Sequence, residues 1–121
     1  NLVPVRITYE LDLDCKVTRG DRLVGWLNKM RSTYTPLMPG CNLSFVGKTN
    51  TPEPYQVLWK VLNSGPVAIE RDCIRGQIFP TKHILNKETT DFKGDHYVEC
   101  YIVKNGVCVA KRRIYVPIRI S

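Results

Sequence analysis

Long apolar runs are missing from this chain of 121 residues, which excludes the membrane-spanning helix, a segment that needs about 20 predominantly apolar residues. No charged-then-apolar segment of the signal-peptide type opens it. Histidine is scarce, with two in all, and the five cysteines (Cys15, Cys41, Cys73, Cys100, Cys108) make no C-x-x-C pair and no Cys/His spacing of the zinc type. A metal site is therefore not expected. Neither glycine-rich phosphate loop, G-x-x-x-x-G-K-[ST] or G-x-G-x-x-G, is present. The initiator methionine is absent too, so the expectation is one domain, residues 1–121, cut from a longer protein.

Catalysis needs a nucleophile with a base, paired carboxylates or a metal. His96, Glu88 and Cys100 can be written as such a set on paper. Val98, however, shares a strand face with His96 and Cys100, and a thiol on an inward face is inert. A non-enzymatic domain without a cofactor is the expectation. The odd cysteine count leaves one thiol over, and a plain hairpin register puts Cys100 about 10 Å along the strand from the partner position of Cys108, beyond disulfide reach. Reduced thiols acting as small apolar residues fit a cytoplasmic protein.

What the chain does have is positive charge. Eighteen Lys and Arg stand against eleven Asp and Glu, a net +7, spread over both halves and dense only at Lys111-Arg112-Arg113. Such a balance favours an anionic partner, a nucleotide, a nucleic acid or an acidic protein face, or is simply a basic surface.

Period-two patterning dominates the organisation. Val3, Val5, Ile7, Tyr9, Leu11 and Leu13 alternate with polar residues, as on a strand with one buried face. Residues 21–34 place Leu23, Trp26 or Leu27, and Met30 at helical spacing, with Asp21 as a cap, and read as a short helix. Asn42 to Val46 resumes alternation. Tyr55, Val57, Trp59 and Val61 share one face of a strand, which makes Trp59 a core residue before a stacking platform. Ile74 to Phe79 reads as a further strand and Lys82 to Asp95 as a polar loop. Two apolar runs flank Asn105-Gly106, the dipeptide of a type I′ two-residue hairpin. In the plain register Glu99 faces Arg112 and Cys100 faces Lys111. The parity of the apolar residues changes across Lys111 to Arg113, where a β-bulge is expected.

The order of several motifs carries a resemblance. Trp59, Val61, Asn63 and Gly65 spell W-x-V-x-N-x-G; Arg75-Gly76 follows; Glu88, Thr90, Phe92, Gly94, His96, Val98, Glu99 and Cys100 come next, then Lys104 to Ala110. Together they resemble the AGS-C domain, the C-terminal sensor found with adenylyl/guanylyl and SMODS nucleotidyltransferases of bacterial anti-phage (CBASS) systems. Phe92 departs from the tyrosine expected there. The resemblance implies sensing of a nucleotide signal.

Strand count and turn spacing point to an all-β, immunoglobulin-like β-sandwich of about seven strands with room for one short helix. The reading is a sensor domain that binds a nucleotide second messenger, a cyclic di- or oligonucleotide, and signals to a fused or partner effector or nucleotidyltransferase, with a homo-oligomer left open. Arg75 before Gly76 supplies a phosphate fork; Thr90, His96 and Asn63 add donors; Glu88 accepts from a base or ribose; Tyr55, Phe92 or Tyr97 stack. For Arg75 and Glu88 a mutual structural ion pair is the rival role, and for His96 a corner pin. The rival function is an immunoglobulin-like module that recognises a phage protein or its own synthase. Single-stranded nucleic-acid binding is a third reading, with affinity falling steeply with salt.

Overall fold

Alternation at period two builds nearly every element. The computed structural model describes the backbone of residues 3–63, 73–79, 83–89 and 95–117, and the side chains of residues 3–60 and 97–117. In chain order the elements are β1 (Leu11–Arg19), β2 (Arg22–Trp26), α1 (Leu27–Ser32), β3 (Asn42–Thr49), β4 (Tyr55–Asn63), β5 (Cys73–Phe79), β6 (His83–Thr89), β7 (Asp95–Lys104) and β8 (Val107–Pro117). Leu11, Leu13, Cys15 and Val17 are buried along β1 while Asp12, Asp14, Lys16 and Thr18 between them are not.

Two antiparallel sheets result, ordered β2-β1-β3-β6 and β5-β4-β7-β8. Their facing sides share one core. The first sheet contributes Leu11, Leu13, Cys15, Val17, Leu43 and Phe45, the second Val57, Trp59, Val98, Cys100 and Ile102. The Phe45 and Trp59 rings meet across it with centroids 6.4 Å apart. The all-β expectation holds, with eight strands among the described residues where about seven were expected, and one short helix. Trp59 is fully buried, as its strand parity required. Cys15, Cys41, Cys100 and Cys108 are buried.

Three segments differ from their sequence reading. The N-terminal alternation does not make one strand. Residues 3–9 lie against β8 in parallel, around a Val5–Cys108 bridge, and β1 begins only at Leu11 in the other sheet. Among the described residues four backbone hydrogen bonds tie this strap to β8: the Arg6 amide donates to the Cys108 carbonyl at 2.8 Å, the Thr8 and Tyr9 amides to the Val109 carbonyl at 2.8 and 3.0 Å, and the Cys108 amide to the Pro4 carbonyl at 2.9 Å. Alternation identifies an extended backbone but not its partner, and here Val5 and Ile7 are exposed at 57% and 53%.

Residues 21–34 are not one helix. Gly20, at φ +61°, turns β1 into β2, and the helix spans only Leu27–Ser32. Asp21 does not cap it, and the Trp26 N-cap supplies no side-chain bond. The cap comes from β1 instead: Asp14 Oδ1 accepts the Asn28 amide at 3.0 Å and the Cys15 amide at 2.7 Å. Asn28 Nδ2 returns a bond to the Leu13 carbonyl at 3.0 Å. Because Met30 packs over Gly25, a Cβ there would lie 3.2 Å from its Cγ. Residues 83–89, read as loop, form β6, which pairs with β3 alone. An edge strand has one free ladder side and tolerates the polar residues that disguised it.

The β7–β8 hairpin closes as expected, with Asn105 and Gly106 at φ 52° and 76°, Lys104 opposite Val107, and Val103 opposite Cys108. The bulge comes earlier than expected. Ile102 pairs with Ala110, leaving Val109 as the extra residue, so Cys100 faces Arg112 and Glu99 faces Arg113. Lys104 Nζ donates to the Pro52 and Pro54 carbonyls at 2.9 and 3.0 Å, tying the loop before β4 to the hairpin.

Replacing Asp14 by Ala removes the helix cap and should lower unfolding free energy by about 1 kcal/mol. Urea denaturation should show a lower midpoint at unchanged slope, with Asp14→Asn, which keeps an acceptor oxygen, restoring most of the difference.

Candidate ligand-binding face

On β4, β7 and β8 the residues between the core positions point away from the first sheet. The antiparallel register lines them up in rows: Leu58, Tyr101 and Lys111 in one, Lys60, Glu99 and Arg113 in the next, then Tyr97 beside Tyr115. Adjacent strands are about 4.8 Å apart, so each row is a contact row. Arg112 has the parity of the buried Ala110 and Ile114 yet is exposed, because β8 is the sheet edge.

Glu99 organises the centre. One carboxylate oxygen, Oε2, takes Arg113 Nε at 2.8 Å and Nη2 at 2.7 Å, while Oε1 accepts the Tyr101 hydroxyl. The guanidinium held in this way lies over the Tyr97 ring, 4.9 Å from its centroid. Tyr97 in turn stands 5.2 Å from Tyr115, and Arg31 from α1 covers Tyr115 at 5.3 Å. Two stacked rings capped by a cation at each end fix one another's orientation.

Burial pushes the Glu99 carboxyl up, but the Tyr101 and Arg113 hydrogen bonds, with the Arg113 and Lys60 charges, outweigh it and hold the group below its ordinary value. Burial, then the bond to the carboxylate, pushes the Tyr101 phenol up. Burial and the neighbouring Asp14 charge push the Cys15 thiol up to about 12, and burial raises Cys100 further. The titrating carboxyl, phenol and thiols just named are thus moved away from neutrality, the reverse of what general acid-base chemistry wants. No cluster of three metal-ligating side chains occurs among the described residues.

Two clefts open on this face. One, of about 350 Å³, is lined by Glu99, Tyr101, Lys111, Arg112 and Arg113. The other, of about 310 Å³, lies between the strap and the sheet, lined by Val3, Val5, Leu58, Lys60, Tyr101, Val103, Cys108 and Lys111. They adjoin at Tyr101 and Lys111.

The residues singled out from sequence are more dispersed. Asn63, the last residue of β4, pairs in register with His96 of β7. Arg75 sits in β5 opposite Trp59, four residues along β4 from Asn63, about 13 Å. Glu88 lies in β6 opposite Leu43, in the other sheet, so it belongs to a strand and not to a loop shared with His96. Tyr55 is 3% exposed and part of the core. Thr90 and Phe92 lie outside the described residues. Among the described candidates, only Asn63 and His96 are adjacent in the ladder.

Sequence comparison bears on the same residues. A family model described as the adenylyl/guanylyl and SMODS C-terminal sensor domain matches residues 1–119. The chain belongs to this family. No curated protein and no solved structure matches. The family role is sensing, and in the sensor domain seen here Lys60, Glu99, Tyr101, Lys111 and Arg113 were not among the residues chosen as ligand contacts. Their signal was present in the sequence as strict alternation of Tyr97, Glu99 and Tyr101 with the apolar Val98, Cys100 and Ile102.

Because the folded-state pKa of Glu99 is depressed, its contribution to stability is present at neutral pH and disappears as pH falls through that value. Glu99→Gln should therefore be less stable than the parent at pH 7, by about 1 kcal/mol, with the gap closing towards about pH 3. Denaturation at both pH values checks this; a gap independent of pH would show that the carboxylate charge is not what matters.

Proposed function

We propose that this domain is a non-catalytic sensor that binds a nucleotide second messenger, a cyclic di- or oligonucleotide, in the cytoplasm of a bacterium defending itself against phage. The family match over residues 1–119 carries the reading. The net +7 of the chain supports an anionic ligand, and cations interleaved with tyrosines on the outer side of β7 and β8 suit phosphate and base together.

In this reading Arg75 forks onto phosphate, Asn63 and His96, which are neighbours in the ladder, donate to the ligand, and Glu88, Thr90 and Phe92 complete the contacts. Tyr55, in the core, supports β4 and does not stack. Occupancy passes to a fused or partner effector or nucleotidyltransferase. A ligand acts only through different affinity for two states, and two packed sheets offer little internal movement, so changed oligomerisation or domain contact is the output. We read the architecture as immunoglobulin-like: β3 pairs with β6, β4 with β5 and β7, and β7 with β8, so the chain crosses between sheets three times after β3.

One observation favours a second reading, a protein-interaction module for a phage protein or the domain's own synthase. Edge strand β2 exposes Leu23, Val24 and Trp26 at 53%, 45% and 40%, and an apolar sheet edge invites strand addition.

Calorimetric titration against a panel of cyclic di- and trinucleotides at near-physiological salt separates the two. The expected result is micromolar or tighter binding of one member, weakened about 10- to 100-fold by Arg75→Ala, as loss of a charge-assisted phosphate contact implies. Absence of binding by the folded domain across the panel, at low salt as well, sinks the sensor and leaves the interaction module.

A further inference from the structure

We infer that the two adjoining clefts on the outer side of β4, β7 and β8 form one nucleotide-unit site, in which Lys111 and Arg112 take the phosphate and the slot between Tyr101 and the strap takes the base. This rests on the sensor reading and assigns a seat on this face to one nucleotide of the messenger.

The cations are not equivalent. Arg113 is already bonded to Glu99 and stacked on Tyr97, so its charge is locally neutralised. Lys111 and Arg112 are exposed, have no carboxylate within ion-pair distance among the described residues, and both line the first cleft. Lys111 on the outer face and Arg112 at the sheet edge line one cleft, and two cations there are a seat for a phosphate, the diester of a cyclic messenger or the free phosphate of a mononucleotide.

The second cleft has different walls. Val3, Val5, Leu58, Val103 and Cys108 make most of its lining apolar, Lys60 adds a cation, and Tyr101 and Lys111 form its border with the first. An inorganic anion would use only the cationic half and an apolar molecule only the slot. A planar base joined through a sugar to a phosphate uses both. Each cleft lies at the small end of the range of about 300–1,000 Å³ for ligand pockets, room for a single nucleotide unit. Tyr101 is held by its bond to Glu99 before any ligand arrives, so little side-chain freedom is lost on binding.

The slot also explains how occupancy is felt. Its outer wall is the strap, which among the described residues is tied to β8 by the four backbone hydrogen bonds given above and exposes Val5 and Ile7. A base against Val3 and Val5 buries them and slows opening of the strap, so the Arg6, Thr8, Tyr9 and Cys108 amides report on the site.

The test uses the whole domain with AMP, GMP, pyrophosphate and adenosine as probes, and the Lys111→Ala/Arg112→Ala double variant, whose exposed positions leave the core untouched. The nucleotides should bind more tightly than either half-molecule. The double variant should weaken them tenfold or more while leaving adenosine unchanged, and AMP should slow hydrogen exchange at those four amides. The cyclic nucleotide that binds in calorimetry should show the same losses. Full affinity in the double variant, or unchanged strap exchange on binding, overturns this site while the sensor reading stands. If neither the cyclic panel nor the mononucleotides bind, both fall together.

Discussion

The extra residue at Val109 governs the arrangement around it. A hairpin closed by Asn105-Gly106 in plain register would set Arg112 against Glu99 and turn Ile114 and Val116 out of the core. With Val109 bulged, Ile102 meets Ala110, Ile114 and Val116 are buried, and Glu99 meets Arg113. The same bulge turns the Val109 carbonyl to the sheet edge, where it accepts two amides of the strap. One inserted residue thus sets the core parity of β8, the ion pair on the outer face and the docking of the N-terminal segment.

Outer face and core are linked by that register. Glu99 is only 15% exposed in its side chain, and a carboxylate so placed is tolerated because both oxygens are bonded. It fixes Tyr101 on one side and Arg113 on the other, and so decides which cations remain available. Like charges crowded on one surface repel; pairing Arg113 with Glu99 leaves Lys111 and Arg112 beside a fixed ring, a more selective arrangement than net charge alone supplies.

Much of the fold was legible in the sequence, for local reasons. Asn105-Gly106 announces its turn because few residues accept positive φ twice in succession, and Trp59 announces the core through the parity it shares with Val57. The failures have equally local causes. Leu23, Trp26 and Met30 are spaced as on a helix, yet Leu23 and Trp26 belong to an edge strand whose apolar residues face solvent. Val3 to Leu13 alternate without interruption although the chain changes sheets between Tyr9 and Leu11, since a period of two is blind to the partner. The bulge was displaced because a parity change seen at Ile114 does not say where upstream the extra residue entered. The grouping of Glu99, Tyr101 and Arg113 is not legible in the sequence because it depends on pairing between strands rather than on nearness in the chain.

The parallel run of the strap along β8 has a mechanical consequence. Tension applied between residue 3 and residue 117 would draw the strap and β8 in opposite senses along their common axis. Its four backbone hydrogen bonds would then be loaded in shear and break together, instead of unzipping singly as an antiparallel hairpin pulled from its open end does. A segment held by few bonds is therefore stiff against a pull along the chain.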